Sequence, residues 1–341
     1  MRYFRQRFVD DLNQNGPVTI AGFTWQNAEV FEAMARNDYE ATFTTWVQAQ
    51  KQEAKERTAD FLSETQSLDR FRALTAKVKA GNVLPFVGAG LSIPSGVRPW
   101  GAFLTTLLAD APQIRAQIEQ MLTNCQFEEA AQLTHDTLGA GVFAEEIHNQ
   151  LGSHRSAVNG PIALLPELFQ AEVFTTNFDY IATNAYANAD LPFANEFCGE
   201  RLRDARQRIG NVPHCLLRLH GEADAADGRV LTSDEYDVAY NGNITLTGIL
   251  GALLGPRSLL FMGSSLQSDR TYSALSEIKA AAPGSPTRHY AFLPLPSEEN
   301  RAARRAFLSQ AEIHPIYYPS QDHDQCIEDL LITLIEGGLD G

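Results

Sequence analysis

Apolar positions follow two different rhythms along the chain, and the change comes near residue 67. Before it they recur three or four apart, as in Ala28-Val30-Phe31-Met34 and Phe43-Trp46-Val47, and run into a charged stretch from Lys51 to Arg57. That spacing predicts a mainly helical extension over 1–66, broken only by a short strand at Val18-Thr19-Ile20. The extension reads either as a packed N-terminal cap or as an assembly surface. After residue 67, short unbroken apolar runs alternate with amphipathic stretches. The runs predict strands over 83–87, 172–175, 215–219, 229–232, 258–262, 289–293 and 313–318. The stretches between them predict helices over 71–79, 100–108, 179–188, 244–254, 272–282, 298–310 and 325–334, with a further short helix capped by Ser233. Residues 102–171 hold no strong strand and read as a helical insertion within a unit spanning 67–341. Strands that are apolar throughout, without alternation, are buried on both faces, so the expected fold is α/β, a parallel sheet with helices on both sides.

Such sheets bind ligands beyond the carboxyl ends of their strands, so the residues that follow each run matter most. The first run ends in Gly88-Ala89-Gly90-Leu91-Ser92, where glycines permit a tight turn and close approach of a phosphate to backbone N–H groups. Ile93 stands where a dinucleotide fingerprint has its third glycine, and neither a P-loop nor a G-x-S-x-G elbow occurs. The second ends in Thr175-Thr176-Asn177-Phe178-Asp179, more polar groups than one helix cap requires. The third ends in Leu219-His220-Gly221, which puts an imidazole suited to proton transfer at a strand terminus. The fourth ends in Phe261-Met262-Gly263-Ser264-Ser265, with hydroxyls fit for a sugar or a second phosphate.

Composition narrows the classes. The 341 residues make room for about two domains, and 44% apolar with 20% charged residues is ordinary globular usage. The net charge of −15 argues against broad, sequence-blind nucleic-acid binding. No apolar run approaches the ~20 residues of a membrane helix, and Met1-Arg2-Tyr3-Phe4-Arg5-Gln6-Arg7 is followed by no signal-peptide core, so a cytoplasmic protein is expected. Cys125, Cys198, Cys215 and Cys326 are scattered, which speaks against a zinc site or a disulfide framework.

Taken in order, the four strand-end segments resemble the sirtuin superfamily, and more narrowly the sirtuin-like domain of bacterial antiphage defence proteins, over about residues 68–320. The matching residues run from Val83 to Val97, from Thr175 to Asp179, through Leu219-His220-Gly221 with Val230-Leu231-Thr232, and from Phe261 to Leu266. The resemblance implies a Rossmann-like, NAD-binding fold with a helical insertion. It implies that Gly88, Ala89, Gly90 and Ser92 hold the pyrophosphate, and that Thr176, Asn177 and Asp179 face the nicotinamide and its ribose. On the same basis His220 is the catalytic histidine and Gly263, Ser264 and Ser265 line the adenosine side. Sirtuin deacylases carry a four-cysteine zinc ribbon that is missing here, and Arg98-Pro99-Trp100-Gly101 replaces their Pro-Asp-Phe-Arg. Both departures favour NAD hydrolysis, with no metal, over lysine deacylation or ADP-ribosyl transfer, while the presence of His220 and Asn177 argues against a module that only senses NAD or ADP-ribose. The branch also implies control by homo-oligomerisation or by a partner such as an ATPase or helicase-type or Argonaute-like protein.

Other features have a bland reading beside a sharper one. The basic run Arg201–Arg208 and the helical face Arg301, Arg304 and Arg305 read as solvated or as partner contacts. Trp100 fits a pocket lid or the core, and Tyr317 and Tyr318 an adenine stack or packing. Glu128, Glu129, Glu145 and Glu146 read as surface.

Overall fold

The computed structural model describes residues 2–109, 111–155, 157–198, 201–202, 205, 214–225, 228–240, 245–267, 270–282, 284 and 287–340. An antiparallel hairpin, β1 (Val18–Ile20) with β2 (Phe23–Trp25), lies in the N-terminal region. The main strands follow: β3 (Val83–Val87), β4 (Val173–Thr175), β5 (Asn195–Cys198), β6 (Cys215–Arg218), β7 (Ser258–Met262), β8 (His289–Pro294) and β9 (Ile313–Tyr318). They form one seven-stranded sheet in the order β5-β6-β4-β3-β7-β8-β9, parallel at every pairing. All five residues of β3 and all five of β7 are buried, as unbroken apolar runs require.

Alternate residues of each strand feed opposite faces. Val83, Val87, Leu260, Met262, Tyr290 and Ile316 join one apolar cluster with the helices Trp100–Leu107 and His323–Ile335. Leu84, Phe86, Leu259, Phe261, Ala291 and Tyr317 join the other, under the helices Leu246–Leu254, Arg270–Ala281 and Glu298–Ser309. Each fully buried Leu or Phe of these clusters contributes about 1.5–3 kcal/mol.

The first 66 residues are mainly helical as expected: Arg2–Asn13, Asn27–Met34 and a 29-residue helix Arg36–Glu64 flank the hairpin in sequence. Phe8, Tyr39, Phe43, Val47, Phe61 and Leu62 belong to the first cluster, so this region shares a core with the sheet. The long helix lies along His323–Ile335, where Arg57 forks onto the buried Asp329 carboxylate with both contacts at 2.8 Å. Its end also seals an edge strand. Tyr317 of β9 donates its N–H to Ser67 Oγ at 2.9 Å, and its carbonyl accepts from Thr65 Oγ1 at 2.9 Å. Backbone groups that would offer a pairing template are thereby occupied.

The structure departs from the sequence reading locally. The strand expected over 229–232 does not form: the amides of Leu231 and Thr232 donate to Glu235 Oε2 at 2.8 and 3.0 Å. Thr232, rather than Ser233, caps the helix Ser233–Tyr240, its Oγ1 accepting from Glu235 N at 3.2 Å. β2 and β5 went unread because β2 is fully exposed and β5 begins with two half-buried polar residues, so neither is an apolar run. Most of the basic run 201–208 lies outside the described residues. Among the described residues no helix is long and apolar enough to cross a membrane.

Arg57→Leu takes two donors from the buried Asp329 carboxylate, to which Gln325 still donates at 2.9 Å. Denaturant unfolding should show a loss of about 1–3 kcal/mol, the cost of an unsatisfied buried group. An unchanged midpoint would show that the helix docks without this pair.

Candidate functional site

Strand register sets the geometry of the site. Met262 pairs with Val87, Val87 with Thr175, and Thr175 with Arg218, so β7, β3, β4 and β6 end in one row across adjacent strands. The four segments singled out in the sequence leave the sheet side by side at one level. Asn177 and His220 each lie two residues beyond a paired position, Thr175 and Arg218, on strands about 4.8 Å apart.

The glycines serve a backbone-to-backbone contact between the first and fourth loops. Gly88 N donates to Met262 O at 2.8 Å and Gly90 N to Gly263 O at 2.8 Å. A Cβ on Gly88 would sit 2.5 Å from Gly263 O, and one on Gly263, whose φ is +69°, would sit 2.5 Å from Leu91 N. Neither the Gly88 nor the Gly90 amide is therefore free for a pyrophosphate oxygen. Ala89 and Gly90 are half-buried where the short 3₁₀ helix Ala89–Ser95 begins.

Ser92 is fully buried and joins the first loop to the second: its hydroxyl donates to Asp179 Oδ1 and accepts from Asn177 Nδ2, both at 3.1 Å. It is thus a brace beneath the crevice. Asp179 also accepts from Ile181 N at 3.0 Å, capping the helix Ile181–Asn188. Burial pushes the Asp179 carboxyl above its ordinary range, against these hydrogen bonds. Thr175 Oγ1 donates to Val87 O at 2.9 Å and accepts from Asn177 N at 3.0 Å, fixing the turn into the second loop. Thr176 is half-buried at its rim.

Arg218 holds this turn from below. It is wholly buried, yet its guanidinium donates to Asn177 O at 3.3 Å, Asp179 O at 2.9 Å, Thr183 Oγ1 at 2.9 Å and Glu196 Oε2 at 2.8 Å. The sequence reading passed over it, although one arginine inside the apolar run Cys215-Leu216-Leu217-Arg218-Leu219 was a signal that something must neutralise it.

His220 follows β6, half-buried, with Tyr236 Oη 2.7 Å from its Nε2 and the Phe178 ring 6.2 Å away. Burial, aided by the Arg270 cation, pushes the imidazole down to about 3. Gly221, φ +87°, turns the chain so that Val230 N reaches His220 O at 2.8 Å. Behind Tyr236 stands a relay that sequence reading missed. The Arg270 guanidinium lies 4.2 Å over the Tyr236 ring and forks onto Glu128 at 2.6 Å. Glu128, expected at the surface, therefore ties the insertion helix Phe127–Leu138 to the histidine. Trp100 stacks on Phe103 at 5.0 Å and lies 5.9 Å from Phe178, beside the crevice and partly in the core. In the fourth loop Ser264 is half-buried and Ser265 exposed, with Arg304 donating to the carbonyls of Ser265 and of Leu266, the latter at 2.9 Å. Among the described residues no three metal-ligating side chains gather.

An all-parallel sheet takes its ligands beyond the carboxyl ends of its strands, and here adjacent ends carry glycine, amide, imidazole and hydroxyl loops. Residues 171–316 match the family model described as the SIR2-like domain, and the chain carries such a domain. It is distantly homologous to two enzymes named NAD(+) hydrolase ThsA. The protein of Acinetobacter baumannii (strain 532279) is 22% identical over 219 residues, 64% of this chain and 43% of that one. The protein of Enterococcus faecium is 21% identical over 235 residues, 68% of this chain and 47% of that one. The chain spans about half the length of the curated relatives it matches. The matched domain begins after β3, so the first glycine loop is joined to it by the Gly88, Gly90 and Ser92 contacts.

Two predictions follow from these environments. Arg218→Met takes the donor from two loop carbonyls and should cost about 1–3 kcal/mol in chemical denaturation, the range for a buried polar group left unsatisfied; an unchanged midpoint would refute the clamp. His220, at about 3, and His289, pushed by burial to about 4, both titrate below the ordinary value of 6.5. The unfolded chain then binds more protons in this window, so stability should fall as pH drops from about 6.5 toward 3. Pairing wild type with His289→Gln in acid titrations checks the sign, since the variant should lose part of the slope.

Proposed function

We propose that this chain cleaves the bond between nicotinamide and ribose C1′ of NAD, releasing nicotinamide and ADP-ribose. The observation that carries the reading is the shared level of Asn177 and His220 on adjacent strand ends, above the loop contact of Gly88 and Gly263. As the C–N bond breaks, its electron pair leaves with nicotinamide, which departs neutral, and positive charge develops on the ribose. The oxygen of a water then bonds to C1′ and gives up a proton. In this reading the Asn177 side chain holds the carboxamide or the water. His220, kept uncharged by its surroundings, accepts the hydrogen bond and then the proton. A neutral acceptor suits an oxocarbenium ion, because a second cation beside C1′ would oppose its formation. Its weak basicity suffices, since bond breaking runs ahead of water attack. Asp179 and Thr176 face the ribose, Ser264 and Ser265 the adenosine half, and the uncommitted part of the Ala89–Ser92 turn the pyrophosphate.

The biological role we propose is NAD depletion as the effector of an antiphage defence system, silent until assembly or a partner releases it. Ile20, Phe23, Trp25 and Met34 support an assembly surface: all four are apolar and exposed, Phe23 at 68% and Met34 at 82%. Because the neighbouring helices are core, surface variants test this better than truncation.

Purified chain with NAD, its products resolved by chromatography, tests the chemistry. His220→Ala and Asn177→Ala should each lower nicotinamide release at least 100-fold while the far-UV spectrum is unchanged, the range expected for loss of a proton acceptor. Full turnover in both variants would overturn the assignment. Phe23→Ser with Trp25→Ser should lower the mass found by sedimentation; an unchanged mass would remove the assembly role from this face.

A further inference from the structure

We infer that a second anion site, for a phosphoryl group, lies at the β9 edge, where the helices Leu68–Lys79 and Glu298–Ser309 flank Tyr317. Tyr317 is fully buried, and its phenol oxygen has no hydrogen-bond partner. A buried hydroxyl without a partner calls for an explanation. The guanidiniums of Arg70 and Arg301 each lie 6.0 Å from its ring, and Arg304 and Arg305 also act on the phenol. Two guanidiniums thus flank one phenol, with the charges of two further arginines felt there, in a chain whose net charge is −15.

Little negative charge faces the guanidiniums of Arg70 and Arg301, where the one carboxylate acting on Arg70 is the fully exposed Asp69. Among the described residues none of Arg70, Arg301 and Arg305 forms an ion pair; Asp69 lies in solvent, within 4.0 Å of Arg72, and its charge acts on Arg70 only at longer range. Arg70 gives one nitrogen to Gln66 O at 2.9 Å and to Ser67 Oγ at 3.3 Å, while its Nε finds no partner. Arg301 is held by Thr65 O at 2.5 Å. These backbone contacts fix the guanidiniums in place without cancelling their charge. Arg305 is exposed and can close over a bound group.

A phosphoryl group fits this arrangement. Its oxygens accept from planar guanidinium donors and from a phenol hydroxyl, and its charge relieves the mutual repulsion. The partly buried guanidiniums and the recessed phenol favour a small anion over the broad acidic face of another protein. Arg304 joins the place to the crevice, since it holds the Ser265 and Leu266 carbonyls of the fourth loop. An anion here would therefore act on the adenosine side of the crevice from outside it.

Calorimetry with inorganic pyrophosphate and with ADP tests the site, the two probes separating a free polyphosphate from a nucleotide. Saturable binding of at least one probe is expected, weakened at least tenfold by Arg305→Gln and by Arg301→Gln, and unaltered by Asn177→Ala. Arg305 is exposed, so its variant folds independently of the outcome. No saturable binding, or binding that both arginine variants leave intact, overturns the proposal. So does binding that Asn177→Ala abolishes, which would put the anion in the crevice. A change of assembly mass in Arg305→Gln without probe binding would identify an acidic protein face as the occupant and equally overturn it. Because Asn177 and Arg305 are scored separately, failure here leaves the reading of the crevice standing.

Discussion

A guanidinium removed wholly from water underlies the candidate site. Arg218 ends β6 and spends its donors on the carbonyls of Asn177 and Asp179, on Thr183 and on Glu196. It therefore fixes the second loop from the strand that carries the third. A buried charge of this kind is costly unless it is fully paired, and here the pairing itself dictates the shape of the turn. The Asn177 backbone is thus held by Arg218, while the His220 ring, two residues along the same chain, is held by Tyr236.

The contact between the glycine loops does the same for the other half of the edge. Gly88, Gly90 and Gly263 let two backbones touch at a distance no Cβ allows, so β3 and β7 end as one unit and Ser92 extends it to Asn177 and Asp179. On the far side of His220, the chain Tyr236–Arg270–Glu128 brings in the helical insertion. Displacement of that insertion would reach the imidazole through three contacts.

Much of this was legible in the sequence, for identifiable reasons. Unbroken apolar runs announced β3, β4, β6, β7, β8 and β9, and polar residues directly after four of them announced the loops, because a parallel sheet leaves only its strand ends for chemistry. Illegible were features whose cause is tertiary. β5 is short and half polar because it is an edge. The stretch 229–232 has strand-like residues, but Glu235 takes its amides. Glu128 looks like any surface carboxylate until Arg270, far away in the chain, meets it. The Gly-Ala-Gly turn signalled a close approach, and the partner proved to be another loop of the same chain.

The account stands on four loops forming one dinucleotide crevice, and amide hydrogen exchange with and without NAD tests that directly. Added NAD should slow exchange together in peptides covering 88–92, 176–179, 219–221 and 263–266, leaving the N-terminal hairpin unaffected. Protection confined to one loop, or absent from all four while NAD is bound elsewhere, would contradict it.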